Sequence, residues 1–183
     1  VRILFTGPPL AGHLFPMIPT SMALRAAGHE VLFAGAQPLD QLRGAGLTIA
    51  EIGDGTTLRE AFERAVPQRE GGGYRADGLT QSQILDRAAK GFAELSRPTV
   101  DGLLATASDW GADVLVHDSF QAAAPLVAAK LKLPSVVHNF GVTSGHAMIA
   151  RLAGNFQDVY EQHAVDGPAR PRALDVLPAS LGG

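Results

Sequence analysis

The stretch Arg2-Ile3-Leu4-Phe5-Thr6-Gly7-Pro8-Pro9-Leu10-Ala11-Gly12-His13 decides the fold. A short apolar, β-rich run breaks into a Gly/Pro-rich loop, and a helical pattern begins just beyond it. Strand, loop and helix in that order open a parallel α/β sheet, whose doubly covered strands read as unbroken apolar runs. The spacing predicts a helix from about Phe15 to Ala27, with Leu14, Ile18, Met22 and Leu24 on its buried face. Pro16 and Pro19 fit only in or near the first turn, where amide hydrogens lack partners anyway. Gly28 is placed to end the helix.

The same alternation runs outward along the chain. Further strands are expected over 30–34, 47–52, 113–117 and 135–138, with helices over 38–43, 121–132 and 145–164. Between strands three and four lies a long excursion. It holds Gly71-Gly72-Gly73, read as a mobile loop, and a helical region from Thr80 to about Ser108, bent at Pro98. The expected architecture is a Rossmann-like, doubly wound parallel sheet over residues 1–165. Residues 166–183, rich in Pro and Gly, read as a tail leading out of that domain.

Composition narrows the function. Apolar residues make up 46% of the 183 and charged residues 18%, as in ordinary globular domains. A net charge of −3 disfavours nucleic acid as a partner, since its binders are basic. The absence of cysteine removes disulfides, thiolate catalysis and Cys-based zinc sites, and fits a cytoplasmic location. No stretch approaches the ~18 to 20 apolar residues of a membrane span.

Open α/β sheets bind ligands at the carboxyl ends of strands, where the strand order reverses. The loop after strand one is therefore the place to look. It lacks Gly-x-Gly-x-x-Gly, and Ala34-Gly35 stands where a dinucleotide site needs an acidic residue. Gly7 and Gly12 have the spacing of a phosphate-binding loop, but His13 and Leu14 replace its Lys and Ser/Thr. What remains is a glycine turn delivering the imidazole of His13, a group able to take a proton near neutral pH. Its alternatives are a solvated or a helix-capping histidine.

Asp118 directly follows strand four. In the strand order 3-2-1-4-5, strands one and four are neighbours, so His13 and Asp118 would emerge side by side. A carboxylate there would fix the imidazole tautomer and stabilise the imidazolium. Alternatively, Asp118 caps the helix that follows. No Gly-x-Ser-x-Gly elbow and no Asp-x-Asp pair occur. His29, His117, His138, His146 and His163 show no metal-ligand spacing and read as structural, with His146 the one nearest a pocket.

These residues resemble a known family. Val1 to Thr6, then Gly12-His13-Leu14-Phe15-Pro16-Met17-Ile18-Pro19 and Ala23-Leu24-Arg25-Ala26-Ala27-Gly28-His29-Glu30-Val31, are similar to bacterial natural-product glycosyltransferases. Asp113-Val114-Leu115-Val116-His117-Asp118 and the closing Leu177-Pro178-Ala179-Ser180-Leu181 extend the likeness over the whole chain, as the acceptor-binding amino-terminal half of a GT-B fold. The resemblance implies an inverting, metal-independent transfer of a sugar, often from a TDP-deoxysugar, with no resident cofactor. It implies His13 as base and Asp118 as its partner. Gly12 and Phe15 in the loop, with Phe62, Phe92, Phe120, Asn139, Phe140 and Met148, are the implied substrate-binding residues. The partners implied are a hydrophobic aglycone and a nucleotide-sugar held by a carboxyl-terminal domain outside this chain. The rival readings are a Rossmann-like module that binds a small molecule without chemistry, and half of a lipid II-type transferase.

Overall fold

A computed structural model describes residues 1–65, 78–141 and 145–175. The triglycine at 71–73 and the Leu177 to Leu181 segment lie outside these residues. The chain forms a six-stranded, all-parallel sheet in the order β3-β2-β1-β4-β5-β6. The strands are β1 (Arg2–Thr6), β2 (Glu30–Gly35), β3 (Ile49–Glu51), β4 (Val114–Asp118), β5 (Ser135–His138) and β6 (Arg172–Leu174). The order reverses between β1 and β4, which pair from Ile3↔Val114 to Thr6↔His117.

Helices cover both faces, and strand alternation sorts the core between them. Leu4 and Leu115 point to the layer of α5 (Gln81–Ser96), α6 (Val100–Trp110) and α7 (Ala123–Leu131). Ile3, Phe5, Phe33 and Val116 point to the layer of α1 (Ala11–Leu14), α2 (Met17–Ala26) and α3 (Asp40–Gly44). Phe5 and Phe33 stack across the β1–β2 pair with ring centroids 4.9 Å apart.

The helical run expected over 15–27 is two helices. α1 is a single turn, and α2 restarts after Pro16, its N-cap, with Pro19 in the first turn. The restart shifts the helical phase, so Met17 and Ser21 are buried while Met22 is 41% exposed. The long region after residue 80 begins with a capping box. Thr80 Oγ1 accepts the Gln83 N–H, and Gln83 Oε1 accepts the Thr80 N–H at 2.8 Å. It breaks at Pro98 in a 3-10 turn, Arg97–Thr99, as the sequence predicts. Gly111, at φ 67°, ends α6 in the left-handed conformation that a side chain disfavours.

Three elements differ from expectation. α4 (Leu58–Ala65) stands in the excursion and packs on α5. The helix expected over 145–164 divides into α8 (Gly145–Gly154) and α9 (Gln157–Gln162), because Phe156 leaves the helical conformation and is fully buried between them. β6 lies beyond residue 165, in the segment read as a tail, and pairs with β5 from Val136↔Arg172 to His138↔Leu174.

Candidate active site at the β1–β4 switch point

β1 ends at Thr6, level with His117, so Gly7 leaves the sheet beside Asp118, the last residue of β4, at the strand reversal. A Cβ on Gly7 would stand 3.0 Å from Met17 Cε and 3.3 Å from Asp118 Cβ. Only the bare glycine lets the loop turn this tightly against the carboxylate. Leu10 then starts α1, its carbonyl accepting the N–H groups of His13 at 3.0 Å and Leu14 at 2.9 Å. That single turn aims the His13 side chain back over β4.

His13 Nδ1 lies 3.1 Å from Asp118 Oδ1. A carboxylate oxygen accepts, so Nδ1 carries the hydrogen and Nε2 keeps its lone pair. Asp118 is 1% exposed, and the same Oδ1 also accepts the Phe120 N–H at 2.7 Å. The carboxylate is therefore fixed from two directions. It is not a helix cap: α7 starts at Ala123, and its first amides go to Ser96 Oγ and Gln121 Oε1.

Three phenyl rings surround the imidazole. Phe140, Phe120 and Phe92 have centroids 4.8, 5.2 and 5.3 Å from it, at tilts of 64°, 82° and 51°. Phe62 extends the cluster by an edge contact to Phe92 at 5.6 Å, its ring lying over Gly91. The result is an imidazole with one wet side: the His13 side chain is 14% exposed. Phenyl rings at these distances exclude water and strengthen the His–Asp interaction.

The remaining expected site residues fall elsewhere. Gly12 is exposed in α1, with open space where a Cβ would stand. Phe15 is 46% exposed, outside the ring cluster. Met148 is buried in the core beneath α8. Asn139 is buried and donates Nδ2 to Asp175 Oδ1 at 2.6 Å, tying the end of β5 to the end of β6. His146, expected near a pocket, is exposed and bonds through Nε2 to the Pro171 carbonyl at 3.0 Å.

Two histidines beside Asp118 are buried. On one face His117 donates Nδ1–H to the Asp118 carbonyl at 3.0 Å, and burial pushes its pKa below the ordinary histidine value. On the other face His138, 1% exposed, meets Thr20 Oγ1 through Nε2 at 2.9 Å, and burial again lowers its pKa. The sequence reading takes His138 as structural and does not single out Thr20. The signal was present in the register, because His138 is level with Asp118 on the neighbouring strand.

Residues 22–182 match the family described as erythromycin biosynthesis protein CIII-like, N-terminal domain. The chain belongs to that family. Among its relatives, L-demethylnoviosyl transferase of Streptomyces niveus is 29% identical over 183 residues, covering 99% of this chain and 46% of the relative. The glycosyltransferase SsfS6 of Streptomyces sp. SF2575, also solved in complex with thymidine diphosphate, superposes with a TM-score of 0.82 at 26% identity. That match covers 98% of this chain and 51% of SsfS6. The glycosyltransferase SnogD from Streptomyces nogalater gives 0.78 at 32% identity, covering 98% and 46%. The family member described here thus spans about half the length of the relatives it matches and has the fold of the amino-terminal half of GT-B glycosyltransferases.

Proposed function

We propose that this family member is the acceptor-binding, base-carrying half of an inverting glycosyltransferase that moves a deoxysugar from a TDP-sugar to a hydroxyl of a hydrophobic natural product. The observation that carries the reading is the His13–Asp118 pair at the sheet's switch point, walled by three phenyl rings. Asp118 holds the Nδ1–H tautomer, so Nε2 takes the proton of the acceptor hydroxyl as its oxygen attacks the anomeric carbon. The new bond joins acceptor oxygen to sugar. The bond from the anomeric carbon to the diphosphate oxygen breaks on the opposite face, and the nucleoside diphosphate leaves with that electron pair. The proton ends on His13 as an imidazolium beside Asp118.

Several features support the division of labour. The chain is about half as long as its relatives, and the thymidine diphosphate complex of SsfS6 involves a chain twice this length. We assign the donor site to a second domain and the aglycone to the phenyl-walled side of His13. Phe62, Phe92, Phe120 and Phe140 offer an apolar, planar-faced wall. No metal or resident cofactor is needed on this half, because the imidazole supplies the base. Among the described residues no helix is long and apolar enough to cross a membrane. We place the reaction in the cytoplasm, where a cysteine-free chain is at home.

His13→Ala in the complete enzyme tests the assignment. Removing a positioned base should lower kcat by about 10²- to 10⁴-fold with the acceptor KM little changed. Turnover at the wild-type rate would reject it.

A further inference from the structure

The Asp118 carboxylate is half accounted for. Oδ1 takes the His13 and Phe120 N–H groups, whereas Oδ2 is buried and has no hydrogen-bond partner among the described residues. A buried carboxylate oxygen without a compensating donor is costly, so what stands beside it matters. Asp118 and His138 are register partners on adjacent parallel strands. Their side chains leave the same face of the sheet from backbones about 4.8 Å apart. The backbone carbonyls of Asn139 and His138 act on the His138 ring, as does the Asp118 charge, and His138 Nδ1 is buried with no full hydrogen bond among the described residues.

The far side of His138 is fixed. Its Nε2 meets Thr20 Oγ1 on α2 at 2.9 Å. If the Thr20 hydroxyl donates, Nε2 is the acceptor and Nδ1 carries the hydrogen on the side of Asp118. A neighbouring carboxylate favours that tautomer over the reverse one.

We propose that His138, anchored by Thr20, is a positioning residue that supplies the N–H dipole for the inner oxygen of Asp118 and so holds the carboxylate, and the tautomer of His13, in place. The two atoms make no direct hydrogen bond, so the N–H acts on Oδ2 through its field or through one bridging water. The inference rests on the reading of His13 as base. It adds a second histidine to the acceptor half, one that touches neither substrate nor the reacting atoms.

Four variants in the complete enzyme test it. His138→Phe keeps the ring and removes both nitrogens. It should lower kcat about 10-fold, a fraction of what a positioned base contributes, with acceptor KM unchanged within twofold. His138→Asn places an N–H near the lost Nδ1, and should restore kcat to within about 3-fold of wild type. His138→Gln replaces only the Nε2 side and should not. Thr20→Val, which removes the anchor while sparing the ring, should show a smaller kcat loss with the same unchanged KM. It carries the test if His138→Phe fails to fold.

Nitrogen-15 NMR of the histidine rings gives a readout independent of turnover: the Nδ1–H fraction of His13 should fall in His138→Phe and recover in His138→Asn. An unchanged tautomer and kcat in His138→Phe would overturn the inference, as would rescue by Gln and not Asn. Failure of the base assignment is separable. His13→Ala would then retain turnover, whatever the His13 tautomer does in the His138 variants.

Discussion

Asp118→Asn separates the charge of the His13–Asp118 pair from its geometry. The Phe120 N–H bonds Oδ1 at 2.7 Å and needs an acceptor there, so the asparagine will turn its carbonyl oxygen to that position. The same oxygen still accepts the His13 Nδ1–H, and the tautomer survives. Only the negative charge is lost. With Nδ1 and Oδ1 3.1 Å apart, the charge centres of imidazolium and carboxylate lie about 4 Å apart, an attraction of about 4 kcal/mol at an effective dielectric of about 20. The partial exposure of His13 trims that figure. At about 1.4 kcal/mol per decade, kcat should fall about 100- to 1,000-fold, with acceptor KM unchanged.

Stability should move the other way or not at all. Asp118 is 1% exposed with Oδ2 unpartnered among the described residues, so the wild-type fold buries an incompletely compensated charge. An amide of the same shape relieves that cost by removing the buried charge. Steady-state kinetics on the complete enzyme and urea unfolding, both at one fixed pH, measure the two effects. Loss of activity with equal or raised stability is expected. A kcat within about 3-fold of wild type would refute the electrostatic role, because the surviving hydrogen bond would then suffice. A parallel collapse of stability would refute the argument that the charge is a structural burden.

Much of this fold is legible in the sequence because its strands are short, apolar and buried on both faces. Ile3-Leu4-Phe5 and Leu115-Val116, bounded by turn residues and rich in β-formers, read as central strands of a parallel sheet, and all five are buried. Once β1 and β4 are central, the reversal between them brings His13 to Asp118 without further information. The rest depends on packing that leaves no periodic trace. β6 is three exposed residues, held by the β5 edge and by the Asn139 N–H bonding the Leu174 carbonyl at 2.9 Å. Met22 has the spacing of a buried residue, but Pro16 resets the helix and gives its place to Met17 and Ser21. The aromatic residues were legible as a set and not as an arrangement. Phe92 comes from α5, Phe120 from the turn after β4 and Phe140 from the loop after β5, and only the packed layers show that all three close on one imidazole.

Two further predictions concern the frame around that imidazole. In Gly91→Ala, a Cβ on α5 would collide with the Phe62 ring and push α4 away; urea unfolding should show a loss of about 1 to 3 kcal/mol, which Phe62→Leu in the same chain should largely restore. Unchanged stability would mean that α4 yields freely and does not brace the aromatic wall. The second prediction is a pH dependence set by His117. Its native pKa lies below the ordinary histidine value of about 6.5 because burial opposes the charge, whereas the unfolded chain titrates near that value. Between the two, the unfolded state binds the extra proton, so stability decreases as pH falls below about 6.5 and is insensitive to this group above it. The slope from one such histidine cannot exceed about 1.4 kcal/mol per pH unit. His138, shifted in the same direction, adds to it. His117→Asn keeps a donor for the Asp118 carbonyl and removes the titration, so its unfolding free energy should fall less steeply from pH 7 to pH 5 than that of the wild type. Equal slopes in the two proteins would show that the acid sensitivity arises elsewhere, and that the imidazole buried beneath Asp118 is already charged in the native state.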